Sequence, residues 1–197
     1  MKRYGIFGGT FNPPHIGHSI FAENVREQLH LDKIIFIPSG NPPLKEGKEI
    51  IDAKHRLRMA KIAFERDENF EISDIEIKDT TEKSYTINTL IKLMELYQDD
   101  YVKLFLILGI DNLISFPKWK EPERLFSLSE VIIINRPGYL LKDADTEFVK
   151  KIKFINVPNL DISSSMIRDY IAHKKSIKYL VLPEVGKYIK ENNLYVI

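Results

Sequence analysis

Gly8-Gly9-Thr10-Phe11-Asn12-Pro13-Pro14-His15-Ile16-Gly17-His18 is the stretch that decides the fold. It follows a short apolar run, residues 4–7, and leads into a segment in which Phe21, Val25 and Leu29 recur every four positions. An apolar run that stops at paired glycines is typical of a buried strand and a tight turn, and the four-residue period is typical of an amphipathic helix. The stretch therefore predicts a strand, a turn and a helix in immediate succession.

Two histidines lie where this helix is predicted to start. His15 and His18 are three residues apart, so they fall on the same side of the helix. A helix N-terminus has unpaired N–H groups and a partial positive charge. Imidazoles in this position favour an anionic ligand, most simply a phosphate.

The rest of the chain continues the alternation of strands and helices. Runs rich in β-branched residues predict further strands at residues 33–38, 70–77, 102–108, 130–135 and 152–157. Helices are predicted at residues 53–66, 85–97, 111–128, 161–170 and 183–193, the third of them broken by Pro117 and Pro122. This alternation predicts an α/β fold, a doubly wound, Rossmann-like parallel sheet of about five or six strands with helices on both faces.

The helix predicted at residues 53–66 carries two arginines near its start, and a third, Arg66, at its end. Leu57, Ala60 and Phe64 fall on one side of it, and Arg56 and Arg58 lie elsewhere. Both of these arginines are therefore expected away from the apolar side of this helix.

The length of 197 residues fits one substantial domain. We predict a single domain over residues 1–197, in which residues 163–197 form a small C-terminal helical elaboration.

Composition excludes several classes of partner. Lys and Arg number 29 against 28 Asp and Glu, so the formal charge is +1 and gives no global field for nucleic acid or an anionic membrane. The chain has no cysteine, hence no disulfide framework and no thiolate metal site. Neither the N-terminus nor the apolar run at residues 104–110 is long enough for a signal peptide or a membrane span. We predict a cytoplasmic protein with no nucleic-acid or membrane partner.

Two common phosphate-binding motifs are absent. Gly5, Gly8 and Gly9 do not make the dinucleotide fingerprint G-x-G-x-x-G, and the segment around Gly47-Lys48 lacks the first Gly and the final Ser or Thr of a P-loop. What remains is a strand, a Gly-Gly turn and H-x-G-H, which resembles the signature of nucleotidyltransferases. The whole string GGTFNPPHIGH is similar to the start of the nicotinate-nucleotide adenylyltransferase family.

A second segment supports this resemblance. Ile162-Ser163-Ser164-Ser165-Met166-Ile167-Arg168 combines hydroxyls with a predicted helix start, and Arg168 lies one turn on from Ser164 and Ser165. It resembles the family's ISSTxIR segment, with Ser165 in place of Thr. Such a segment can hold the β- and γ-phosphates of a nucleotide. Taken alone, the segment is as typical of a serine helix cap followed by a solvated arginine as it is of a phosphate-binding site.

Two shorter matches concern the pyridine ring of a substrate. Ser84-Tyr85-Thr86 resembles the family's SYT segment, which contacts the nicotinate ring, and Trp119 resembles its stacking tryptophan. An aromatic plane suits a pyridinium ring through stacking and cation–π attraction. A single tryptophan is otherwise most often part of the core.

Three further residues are candidates. Asp111 follows a predicted strand, where it can bind ribose hydroxyls or act as a helix N-cap. Lys45 matches the family's PPHK segment as a phosphate ligand, although Leu44 replaces the histidine. Arg136, directly after another strand, is either a contact to the substrate's phosphate or adenine or a surface arginine.

The resemblance implies transfer of the adenylyl group of ATP to nicotinate mononucleotide, which gives deamido-NAD and pyrophosphate. It implies catalytic roles for His15, His18 and Arg168, with Mg²⁺ arriving with ATP, since the sequence offers no carboxylate cage. The implied ATP-binding residues are Gly8, Gly9, Thr10, Phe11, His18, Asp111, Ser163, Ser164, Ser165 and Arg168. The implied substrate-binding residues are Lys45, Tyr85, Thr86, Trp119 and Arg136. Relatives commonly form dimers or larger assemblies, so a homo-oligomer is expected.

Other activities stay open at this point. Pantetheine-phosphate adenylyltransferase is the nearest rival, but it usually has Thr at the position of His15 and a shorter chain. Another small-molecule nucleotidyltransferase or a nucleotide-binding sensor without catalysis would also keep the turn. The sequence does not decide between nicotinate and nicotinamide mononucleotide.

Overall fold

A computed structural model describes residues 1–43, 50–78 and 83–196. Its strands are β1 (Lys2–Gly9), β2 (Lys33–Pro38), β3 (Phe70–Ile72), β4 (Val102–Gly109), β5 (Glu130–Ile134) and β6 (Lys153–Ile155). Its α-helices are α1 (Ile16–Gln28), α2 (Ala53–Phe64), α3 (Thr86–Leu96), α4 (Ile110–Ser115), α5 (Pro122–Leu128), α6 (Thr146–Val149), α7 (Ser164–Ala172) and α8 (Pro183–Glu191).

The six strands form one sheet in the order β3-β2-β1-β4-β5-β6, and every pairing is parallel. The order reverses between β1 and β4, which is where a doubly wound sheet opens a crevice at the carboxyl ends of its strands. The predicted fold class is confirmed, and the turn after β1 lies at this crevice.

Alternate residues of each strand enter two different cores. Ile6, Leu106 and Ile133 pack with α3, α4 and α5 on one face. Phe36 and Ile107 pack with α1 and α2 on the other. Burial on both faces explains why these strands read as continuous apolar runs.

A third apolar cluster attaches the C-terminal helices. Met59 of α2 packs with Ile167 of α7 and with Val185 and Ile189 of α8. The helices predicted near the C-terminus are therefore present, and α2 is the element that carries them.

Two predicted boundaries are wrong by three residues or more, and several others differ by one or two. The strand predicted at residues 70–77 ends at Ile72, because Asp74 starts a turn in which its carbonyl accepts from the N–H groups of Ile77 and Lys78. The helix predicted from residue 161 begins at Ser164. The breaks predicted at Pro117 and Pro122 are confirmed, since a short 3-10 turn separates α4 from α5 there.

Candidate functional site

A cleft of about 890 Å³ opens at the carboxyl ends of the central strands. This volume is in the range of small-molecule sites, roughly 300–1,000 Å³. Every predicted site residue that the structure describes lines it. They are Gly8, Gly9, Thr10, Phe11, His15, His18, Tyr85, Thr86, Asp111, Trp119, Arg136, Ser163, Ser164, Ser165 and Arg168. Lys45 and Leu44 lie outside the described residues, so the prediction for Lys45 stays a prediction.

The turn after β1 is held by hydrogen bonds from α7. Ser164 Oγ donates to the Pro13 carbonyl (2.7 Å), and Arg168 Nη1 donates to the Asn12 carbonyl (3.0 Å). The two segments with the strongest family resemblance, 151 and 156 residues apart, are therefore in direct contact.

Phe11 anchors the same turn in the core. Its backbone has a positive φ of 48°, a conformation that costs energy for a residue with a side chain. Its ring is 2% exposed and makes edge contacts with Phe7, Phe36 and Phe64. The side chain thus holds the turn in place and presents almost no surface to a ligand.

His15 and His18 form a stacked pair at the start of α1. Their ring centroids are 3.7 Å apart, and His18 Nδ1 accepts from the backbone N–H of His15 (3.1 Å). Because Nδ1 is an acceptor, the neutral His18 ring carries its proton on Nε2. His18 therefore offers an N–H donor even when it is uncharged.

The His15 ring is uncharged at neutral pH. Burial, and then the positive charge of Arg136, lower the pKa of His15 from its ordinary value of 6.5 to about 4. Its Nδ1 is buried and has no hydrogen-bond partner among the described residues. This nitrogen is turned towards the first turn of α1, where the His15 side chain and the His18 N–H have the arrangement of a capping box.

Asp111 and Arg136 meet in an ion pair. Arg136 Nη1 donates to Asp111 Oδ2 (2.6 Å), and Asp111 Oδ1 is buried without a hydrogen-bond partner among the described residues. Asp111 is not the N-cap of α4, since Gly109 occupies that position. A Cβ at Gly109 would collide with Asp111 Oδ1, so the glycine makes room for this carboxylate at the cleft.

Trp119 and Tyr85 form an aromatic part of the wall. Trp119 Nε1 donates to Ser115 Oγ (3.3 Å), and its ring lies 5.1 Å from that of Phe116. One side of Trp119 therefore packs against the core while the residue lines the cleft. Tyr85 is the N-cap of α3, so Thr86 starts that helix.

The start of α7 forms another part of the wall. Ser163 is its N-cap, with Oγ accepting from the N–H of Met166 (3.1 Å). Arg168 Nη2 contacts Ser165 Oγ at 3.4 Å, and its Nη1 bonds to the turn after β1. Arg168 is therefore not the fully solvated arginine of the alternative interpretation.

Two charged residues in or next to the cleft, the buried Arg56 and the partly buried Glu76, were missed from the sequence. Arg56 is 1% exposed, so the expectation that it lies outside the core is wrong. It shares the spacing of Met59, Ala60 and Phe64 along α2, and this signal would have placed it on the buried face. Glu76 lines the cleft, and burial raises the pKa of its carboxyl. It lies in the turn mistaken for a strand, so no pattern indicated it.

The site offers little for direct binding of a metal. The described residues contain no group of three or more His, Asp or Glu side chains able to hold an ion. The unpaired Asp111 Oδ1 is a single suitable oxygen. This donor set fits Mg²⁺ bound mainly through substrate phosphates and water. In the described part of the chain, no helix is long and apolar enough to cross a membrane.

Comparisons with known proteins agree with this geometry. The profile of the family described as Cytidylyltransferase-like matches residues 6–170. The chain is 41% identical to a probable nicotinate-nucleotide adenylyltransferase of Clostridium botulinum, over 99% of this chain and 98% of that one. It is 38% identical to the nicotinate-nucleotide adenylyltransferase of Bacillus subtilis, over 99% of each.

A solved structure shares the fold over the whole length. It is the nicotinic acid mononucleotide adenylyltransferase of Plasmodium falciparum complexed with NaAD. The TM-score is 0.81 at 25% identity, with 99% of this chain and 98% of that one covered. The similarity therefore extends through α7 and α8 and is not restricted to the sheet.

Proposed function

The chain belongs to the cytidylyltransferase-like family and, within it, to the nicotinate-nucleotide adenylyltransferases, and we propose that it transfers the adenylyl group of ATP to nicotinate mononucleotide. The products are deamido-NAD and pyrophosphate. The observation that carries the proposal is the single cleft that the histidine turn, the start of α7 and the Tyr85–Trp119 wall all line.

The reaction needs alignment more than covalent chemistry. The 5′-phosphate oxygen of the mononucleotide attacks the α-phosphorus of ATP in line, and the bond to pyrophosphate breaks. His15 and His18 donate hydrogen bonds to oxygens around this phosphorus as negative charge develops. Support comes from the stacked pair at the N-terminus of α1 and from the Nε2 proton of His18.

The leaving pyrophosphate is held at the start of α7. The Ser163 and Ser165 hydroxyls, the N–H groups of the first turn and the Arg168 guanidinium supply donors for its oxygens, while the Ser164 hydroxyl holds the turn after β1. Mg²⁺ arriving with ATP would neutralise phosphate charge there, and Asp111, whose Oδ1 is buried in the cleft wall without a hydrogen-bond partner among the described residues, would interact with the ion or with ribose hydroxyls. Tyr85, Thr86 and Trp119 hold the nicotinate ring, and Lys45 and Arg136 bind the mononucleotide.

The cytoplasmic location, the homo-oligomer and the absence of nucleic-acid partners stay predictions from the sequence. The relatives' names favour the nicotinate over the nicotinamide substrate. A carboxylate next to the Thr86 end of α3 would also meet the positive end of a helix dipole.

The test is release of pyrophosphate from Mg-ATP with nicotinate mononucleotide, its amide and phosphopantetheine in parallel. We expect the highest kcat/KM with nicotinate mononucleotide. A nucleotide sensor would bind ATP and release no pyrophosphate. Preference for phosphopantetheine would replace the proposed activity by that of the rival enzyme.

The role of His18 is tested by His18→Ala. Removing a donor that acts on the transition state should lower kcat by about two to four orders of magnitude with the fold retained. His173→Ala is the control, because His173 is exposed and forms only a surface pair with Asp169. Near-normal turnover of His18→Ala would contradict the role.

A further inference from the structure

The buried guanidinium of Arg56 joins three separate segments of the chain. Its Nη1 donates to the Thr10 carbonyl (2.9 Å), its Nη2 to the Gly40 carbonyl (3.1 Å) and its Nε to the Ile51 carbonyl (3.1 Å). Arg56 lies on α2. Its contact with Ile51 is made to the segment just before this helix, whereas its contacts with Thr10 and Gly40 are made to distant parts of the chain. Each donor edge of the planar group therefore serves a different piece of backbone.

Two of these segments belong to different parts of the cleft wall. Thr10 lies in the turn that leads to His15 and His18. Gly40 follows β2, and its N–H donates to Ser84 Oγ (3.0 Å), while the Ser84 N–H donates to the Asn41 carbonyl (2.8 Å). A continuous set of hydrogen bonds thus connects the histidine turn, through Arg56 and Gly40, to Ser84.

Ser84 directly precedes Tyr85 and Thr86, the proposed contacts of the nicotinate ring. Only a glycine fits at position 40, since a Cβ there would collide with the Glu76 carbonyl oxygen. The hydrogen bonds through Gly40 and Arg56 therefore connect the Tyr85 segment to the histidine turn.

Stability alone does not require an arginine here. Burying a guanidinium costs solvation, and a well-packed apolar residue often serves stability as well or better. The three carbonyls and the nearby carboxylates of Asp52 and Glu76 offset part of this cost. What an apolar residue, or a lysine with its single nitrogen, does not provide is a rigid fork that fixes three carbonyls at once.

We propose that Arg56 is a positioning residue that sets the distance between the histidine turn and the nicotinate-binding segment, and so aligns the two substrates for transfer. It touches no reacting atom and acts through Thr10 and Gly40. This inference rests on the proposed function, because alignment matters only when two substrates react in the cleft.

The test compares Arg56→Lys with Arg58→Lys. Arg58 is the matched control, an exposed arginine two residues further along the same helix. Arg56→Lys keeps the positive charge and removes the fork. We expect kcat to fall about 10- to 100-fold, as for a displacement of roughly 1 Å at the reacting atoms, while KM for ATP and for nicotinate mononucleotide each change less than about threefold. Arg58→Lys should match the wild type.

Rates are measured at least 15 °C below the Tm of each variant, so that unfolding does not contribute. A lowered Tm with an unchanged kcat would overturn the proposal, because it would assign Arg56 a purely structural role. If the wild-type protein releases no pyrophosphate from any of the tested substrates, the proposed function fails instead. The two failures are thereby separated.

A measurement on the wild type covers the case in which Arg56→Lys does not fold. A non-hydrolysable ATP analogue is added alone, and amide hydrogen exchange is followed at Gly40. Because Arg56 links the histidine turn to Gly40, exchange at Gly40 should slow even though no mononucleotide is present. Unchanged exchange at Gly40 on saturation with the analogue would overturn the coupling.

Discussion

At the scale of single residues, His15 makes the site sensitive to acid. Its pKa is lowered to about 4 from 6.5. As the pH falls, His15 is therefore protonated at a higher pH in the unfolded chain than in the folded protein. The free energy of unfolding should therefore be highest above pH 6.5 and fall as the pH drops towards 4. The part due to His15 is on the order of 3 kcal/mol.

Urea unfolding at pH 7 and pH 4.5 measures this loss. Between these two pH values, the free energy of unfolding of His15→Gln should fall by roughly 2–3 kcal/mol less than that of the wild type, because the buried titrating ring is gone. His173→Gln, which replaces an exposed histidine, should keep the wild-type loss. The same pH dependence in His15→Gln and wild type would contradict a lowered pKa.

The residue scale also shows what the sequence conceals. His15 and His18 were predictable as a pair because both the helix start and their spacing are local features. Glu76 was not, since its place at the cleft follows from the turn at Asp74, which interrupts an alternation of apolar residues that predicts a strand. Arg56 lies between these cases, because its helical spacing indicates burial while the general preference of arginine for the surface indicates the opposite.

At the scale of elements, prediction was most accurate where local signals agreed. Strand β1, its turn and α1 combine an apolar run, paired glycines and a four-residue period. Strands β2 and β4 are apolar over most of their length. Strand β3 is an edge strand with one neighbour, β2, so a turn at Asp74 ends it although Ile75 and Ile77 continue the apolar pattern. The point at which such a strand ends depends on the strands that it pairs with, and these partners cannot be read from a single sequence.

The start of α7 illustrates a choice between equivalent signals. Residues 163–165 are three consecutive serines, each a good N-cap. Ser163 is the cap, with its Oγ accepting from the N–H of Met166, while Ser164 Oγ donates to the Pro13 carbonyl. Neighbouring serines thus have different roles, one within the helix and one in a contact with the other end of the chain.

Ser163→Ala tests the cap and its role in ATP binding. Loss of the hydrogen bond to Met166 should lower the free energy of unfolding by about 1 kcal/mol and speed amide exchange at Met166. Because the first turn of α7 is proposed to bind pyrophosphate, KM for ATP should rise more than KM for the mononucleotide. Ser127→Ala, in the exposed part of α5, should change neither the free energy of unfolding nor KM for ATP. An equal effect of both substitutions would argue against a specific cap.

At the scale of the whole molecule, the site depends on contacts between the two ends of the chain. Arg168 bonds to Asn12 across 156 residues, and Tyr195 bonds to the same asparagine across 183 residues. The sheet order brings the histidine turn to the crevice, and the third apolar cluster places α7 and the C-terminal segment over it. The sequence motifs identified the histidine turn and the start of α7 separately, but only the fold shows that the two are in contact.

Tyr195→Phe tests whether the C-terminal segment supports the turn after β1. Burial raises the pKa of the Tyr195 hydroxyl, which keeps it protonated as the donor to Asn12 Oδ1 (2.9 Å). Asn12 is 3% exposed, so removal of this donor leaves a buried acceptor with a weaker partner, the Ile51 N–H at 3.5 Å. The free energy of unfolding should fall by about 1–3 kcal/mol. Tyr179→Phe, at a tyrosine 75% exposed, should leave it unchanged, and equal urea midpoints for both variants would show that the C-terminal contact does not stabilise the turn.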